Sequence, residues 1–241
     1  MVHALVLLSY ANAVGELFVF GRLAQLRLIR RYKWFAAWMA FSAVRDLSIL
    51  IATDSHLKTT AFWSLWEITE PVMMGLVVLV AFEVYDLITS HFRTLGNVGE
   101  MILVAAVSIG AVVSVVLILI DSRGAFPWIF LVKRIVTSVL AVALMCVSWV
   151  FFWVADPIRP NVVRHCRILT VYLTAIALGY FFINFGVERV LANLLFFSVL
   201  LGCLVAWIVL IRRDGEVPEM DRYGEGTPQG QRGPNSTKLV V

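Results

Sequence analysis

The chain has 241 residues, of which 61% are hydrophobic and 15% charged, and its mean hydropathy is +0.88. A soluble globular domain carries about 45–50% apolar residues, so this composition excludes one and points to an all-α, polytopic membrane protein. The formal charge of +4 would suggest a nucleic-acid partner in a soluble chain, but here the basic residues sit in loops between apolar runs and report orientation instead.

A bilayer core of ~30 Å needs about 20 helical residues at ~1.5 Å each. Seven segments meet that length: His3 to Gly21, Trp34 to Thr53, Ala61 to Asp86, Met101 to Ile120, Pro127 to Ala155, Ile168 to Phe185 and Val190 to Ile211. The first lacks a basic leader and a small-residue cleavage site, so it reads as a retained span. Fourteen Lys and Arg residues lie in the connections after the first, third and fifth spans and in the tail, against three on the other side, Lys58, Arg123 and Arg189. The positive-inside rule then predicts a seven-helix bundle in the cell membrane, with the N-terminus outside and the C-terminus cytoplasmic.

The first span carries Ser9, Asn12 and Glu16 on one stripe by i, i+3, i+4 spacing, with Glu16 counted into the inner half. The cluster RLAQLRLIRRYKW that follows is a candidate contact for anionic lipid or for a protein partner. Arg45 and Asp46 lie inside the second span. They are consecutive and so about 100° apart on a helix, which aims them at different neighbours.

The third span is the unusual one. Glu67, Glu70 and Pro71 lie well inside it, followed by Gly75. A carboxylate within a bilayer-spanning helix costs roughly 2.5–3.5 kcal/mol by insertion measurements, so such groups face a bundle interior and have partners. Glu67 and Glu70 are three apart, a spacing that directs both at one cavity. Pro71 has no N–H for the carbonyl of Glu67, which predicts a kink beside the acids, with Gly75 adding freedom one turn on.

The fourth span has no charge and is expected to face lipid most extensively. The fifth contains Lys133 and Arg134. Counted from the outer boundary at ~1.5 Å per residue, Glu67 and Glu70 lie roughly 9 and 13 Å deep, Arg45 and Asp46 roughly 10–12 Å, and Lys133 and Arg134 roughly 9–11 Å. Three acids and three bases therefore share the outer half, and they form one polar cavity or a set of ion pairs if the second, third and fifth helices are neighbours. On the sixth span Tyr180 and Asn184 extend the same polar face. Ser198, Gly202 and Ala206 make a small-xxx-small row on the last, expected to serve helix packing. Trp63, Trp66, Trp128, Trp149, Trp153, Tyr85 and Tyr32 fall mainly near span ends, as an interfacial aromatic belt would.

After Arg213 the sequence turns to Gly, Pro and charge, DGEVPEMDRYGEGTPQGQRGPNSTKLVV. The predicted organisation is a membrane domain over 1–213 and a disordered cytoplasmic tail over 214–241. His3 and His56 fall outside and His91 and His165 inside, and Cys146, Cys166 and Cys203 lie in or beside spans, so neither a metal site nor a disulfide framework is expected. No cofactor is implied, and no HExxH, Gly-x-Ser-x-Gly, Walker loop or CxxC is present. The expectation is a non-enzymatic receptor, sensor or partner-binding subunit with a cavity lined by Arg45, Asp46, Glu67, Glu70, Lys133, Arg134, Tyr180 and Asn184. The alternative is a transporter exchanging protons through Glu67 or Glu70.

Overall fold

A computed structural model of the protein describes residues 2–54, 59–89, 128–153, 159–184 and 188–216, with positions 104, 108 and 112. The predicted span Met101–Ile120 thus lies almost wholly outside the described residues, as does the predicted tail from residue 217 on. Everything else described is helix or short connection: α1 (Val2–Gln25), α2 (Lys33–Asp54), α3 (Thr59–Thr89), α4 (Trp128–Trp153), α5 (Pro160–Asn184), α6 (Arg189–Leu210) and a single 3-10 turn, Arg213–Glu216. All six α-helices are long and apolar enough to cross a membrane.

They close into a ring. Each helix packs against the next in chain order, α6 packs back on α1, and α3 also touches α5 across the interior. α3 therefore stands between α2 and α4, which is the adjacency that the intramembrane charges require. Close approach depends on glycine at two seams. A Cβ on Gly15 would lie 3.1 Å from Leu204 of α6, and one on Gly179 of α5 3.2 Å from Phe196. By contrast, Gly202 has nothing within 4 Å of such an atom, and Ser198 and Gly202 are exposed. Of the small-residue row on α6, only Ala206 packs, partly buried, against the core among the described residues.

The turn from α1 to α2 is built by a Schellman motif. Leu28 N–H donates to Leu23 C=O at 2.9 Å and Arg27 N–H to Ala24 C=O at 3.0 Å, while Arg27 takes the left-handed φ of 59° that this position demands and that glycine usually supplies. Leu23 and Leu28 are both buried, the apolar contact that accompanies the motif. The first N–H groups of α2 then need acceptors, and Glu83 from α3 provides them. Its two carboxylate oxygens accept from Trp34 N–H and Phe35 N–H, each at 3.0 Å, and its negative charge suits the positive end of the helix. Glu83→Ala leaves both donors without that acceptor and is expected to lower stability by about 1–3 kcal/mol, read as a drop in the thermal midpoint in nanodiscs; Glu83→Gln, which keeps one acceptor, should lose less.

At the same end α5 begins two turns before the predicted Ile168. Pro160 occupies its first position, where the missing N–H is not needed. Asn161 then clasps the chain leaving α6: its amide nitrogen donates to Arg212 C=O at 2.5 Å and its oxygen accepts from Arg212 N–H at 3.2 Å. Arg164 donates to Leu210 C=O at 2.9 Å, meeting one of the last carbonyls of α6. Gly215 packs so tightly on Asn161 that a Cβ would overlap its side chain. The first residues of the predicted tail, Asp214–Glu216, are thus part of a turn docked on α5.

The core at this end is aromatic. Tyr32, Phe35, Trp38, Tyr172 and Trp207 are all at most 6% exposed. His165 lies among them, 4.3 Å from the Phe35 ring centre and 5.4 Å from that of Tyr32. Its Nδ1 accepts the indole N–H of Trp207 at 3.0 Å, which places the imidazole proton on Nε2. Tyr32, Tyr85 and Trp66, expected in the interfacial belt, are buried; only Trp149 of that set is exposed at 66%, and the side chains of Trp63, Trp128 and Trp153 lie outside the described residues.

Candidate functional site

Glu70 is the centre of the charge cluster. Its side chain is fully buried, and one carboxylate oxygen lies 2.7 Å from an Arg45 guanidinium nitrogen while the other pairs with the Lys133 ammonium. A lone carboxylate buried this completely would be costly; two cations from two neighbouring helices offset its desolvation. Asp46 sits farther out, 3.9 Å from Arg45 Nε, a Coulombic neighbour beyond hydrogen-bond distance.

This cluster forms part of the wall of a cavity of about 330 Å³. Every helix of the ring contributes to the wall: Asn12 and Glu16 from α1, Trp38, Ser42, Arg45 and Asp46 from α2, Trp66 and Glu70 from α3, Lys133 from α4, Tyr172 from α5 and Phe197 from α6. The volume falls in the range of small-molecule pockets, which are mostly apolar with a few placed polar groups. Met73, Val77 and Ile176 supply more of the apolar part here.

The polar stripe of α1 joins the site. Glu16 is buried, and its Oε1 accepts the Ser42 hydroxyl at 2.7 Å. The Asn12 amide nitrogen donates to Leu8 C=O at 2.8 Å and to Phe197 C=O at 3.1 Å, tying α1 to α6. Thr137, one turn beyond Lys133, donates to the Lys133 carbonyl at 2.7 Å. Its side chain also lines the cavity.

Of the sequence-predicted set, Arg45, Asp46, Glu70 and Lys133 meet at one cavity. Glu67 does not join them: its side chain is exposed on the outward face of α3. Residues three apart on a helix are offset by roughly 60°, and in α3 that angle separates the interior from the exterior. Arg134 is half-buried and off the cavity wall, about 100° around α4 from Lys133. The side chains of Tyr180 and Asn184 lie outside the described residues. Pro71 is accommodated within α3, which is assigned as helix from Thr59 to Thr89, and both Pro71 and Gly75 are exposed. The proline therefore modifies the outer face of the helix and not the cavity wall.

Compared with protein-family models, with curated proteins and with solved structures, the chain matches none. The site must be read from its own chemistry.

Proposed function

We propose that the protein is a multi-pass receptor or sensor of seven membrane helices, N-terminus outside and C-terminus cytoplasmic, whose charged cavity binds a small ligand. The apolar length of the segment 101–120 in the sequence supports a seventh span, and the excess of basic residues on one side supports the orientation. The reading assigns the protein no catalytic activity. The observation that carries it is the double ion pair of Glu70 with Arg45 and Lys133 in the wall of a cavity that all six described helices line.

Such a cluster can respond to an occupant. An occupant bears on the pairing at Glu70 either directly, at Arg45 or Lys133, or by engaging the other carboxyl groups of the wall, Glu16 and Asp46, and so favours one arrangement of α2 and α4 about α3; only a ligand with differential affinity for two arrangements can shift them. Aromatic contacts link the cavity wall to the end of the bundle that this orientation makes cytoplasmic. Trp38 and Tyr172 line the cavity, and both pack on Trp207, with ring centres 6.3 and 5.6 Å apart. Trp207 in turn touches His165 and Phe35, beside the basic turn that contains Arg27 and Arg30. That turn is the surface offered to a cytoplasmic partner.

A thermal-shift panel of small polar solutes on the purified chain in nanodiscs tests the reading, with Arg45→Met/Glu70→Leu/Lys133→Met and Glu16→Gln as the comparisons. At about 100 times its dissociation constant a true ligand stabilises the wild type by about 2.7 kcal/mol, and that gain is lost or reduced in at least one of the two variants. A panel without a single solute specific to the wild type would count against the receptor. The transporter alternative draws less support, because Glu67 faces outward and Glu70 is held by two cations. It predicts that Glu70→Gln abolishes solute-coupled proton flux in vesicles.

A further inference from the structure

We propose that the cavity selects a small organic ammonium ion, held by Glu16 and Asn12 of α1 with its hydrocarbon body against the apolar and aromatic wall. The inference rests on the ligand-binding reading above and names the class of ligand. Two acceptors carry it. Glu16 Oε2 and Asn12 Oδ1 are both buried without a hydrogen-bond partner, in residues only 3% and 5% exposed, and both residues line the cavity. They stand one helical turn apart on the same face. The amide orientation of Asn12 is fixed, since its nitrogen donates to two carbonyls and only its oxygen is left for an occupant.

Charge points the same way. The cavity wall holds three carboxyl groups, Glu16, Asp46 and Glu70, and two cations, Arg45 and Lys133. Both cations are engaged at Glu70, so the excess negative charge lies towards α1 and α2, on Glu16 and Asp46. An ammonium group brings three donors and the missing positive charge. An anion would bring acceptors to a place already rich in them.

An inorganic cation fits poorly. Hard cations take six or more oxygens, and among the described residues there is no group of three or more His, Cys, Asp or Glu that could hold a metal ion. An organic body, on the other hand, is met by Trp38, Trp66, Tyr172 and Phe197, whose ring faces attract cations. The Trp38 indole N–H is buried with no acceptor. It would serve a hydroxyl or carbonyl oxygen on the same ligand.

The test uses three compounds that share one ring and differ in charge: tyramine, 4-propylphenol and 3-(4-hydroxyphenyl)propanoate. Each is added at millimolar concentration to the full chain in nanodiscs, with binding read by thermal shift and by tryptophan fluorescence. Tyramine should stabilise the wild type most. Glu16→Gln should weaken it by about ten- to a hundredfold, the loss of one charged hydrogen bond. Glu16→Asp, which keeps the charge, should retain part of the binding even if the Gln variant folds poorly, and Glu67→Gln should bind as the wild type does. Equal or stronger binding of the propanoate, lost in Lys133→Met, would overturn the ammonium assignment while leaving a ligand cavity in place. No binding of any of the three, with cavity substitutions altering only the melting temperature, would overturn both.

Discussion

Glu70→Ala is expected to lower the stability of the bundle by about 3–5 kcal/mol, the range for breaking a buried ion pair by removing one partner. Arg45, whose side chain is 9% exposed, and Lys133, at 20%, would both lose their shared counter-charge. The loss comes from the stranded cations more than from the attraction removed. Arg45→Met/Glu70→Leu/Lys133→Met removes all three charges and should therefore be close to neutral or more stable than the wild type, as apolar replacements of buried ion pairs often are. Glu67→Ala, on the exposed face of the same helix, should change stability by no more than about 0.5 kcal/mol. Thermal or denaturant unfolding in nanodiscs distinguishes the three. A triple variant as unstable as Glu70→Ala would mean that the charges hold the fold and that the cavity is incidental to them.

Trp207→Ala should be comparably severe, about 3–5 kcal/mol, because it empties a site that is 1% exposed between α2 and α5. The more informative change is Trp207→Phe. It keeps most of the ring contact with Phe35, at 4.8 Å between centres, and with Tyr172, but removes the N–H that His165 Nδ1 accepts. His165 Nε2 is already buried without a partner, so the second nitrogen becomes unsatisfied too, at about 1–3 kcal/mol. Adding His165→Phe removes the orphaned acceptor and should recover part of that loss. If the double variant is less stable than the wild type by the full sum of the single effects, the hydrogen bond is not what joins these residues.

The spans were legible because apolar length against the bilayer is a coarse and strong signal, and each described helix overlaps a predicted one. The meeting of Arg45, Glu70 and Lys133 was legible too, since charges at similar depth in adjacent helices have few other places to go. The rest required rotation and stagger, which hydropathy does not carry. Glu67 and Glu70 differ by only ~60° about α3, yet the interior boundary falls between them. Glu16 counts into the inner half when depth is taken from the start of its own helix, but α1 is set against α2 so that Glu16 meets Ser42 and enters the cavity. Glu83 had a weak signal, an acid near the C-terminal end of one span beside the uncapped start of another. For His165 the clue was Pro160, a helix-start residue eight positions before the predicted span; the basic residues Arg164 and Arg167 depressed the hydropathy of those first turns.

Whether Glu70 joins α2 to α3 at the wall of a polar cavity is tested most directly by a double-mutant cycle on Arg45→Met and Glu70→Leu, with folding free energy measured for the wild type, both single variants and the double. The 2.7 Å pair predicts a coupling in the upper part of the ~0.5–3 kcal/mol range for contacting residues, with the double variant more stable than the sum of the single losses allows. Single effects that add to within about 0.3 kcal/mol, as distant independent sites do, would contradict it.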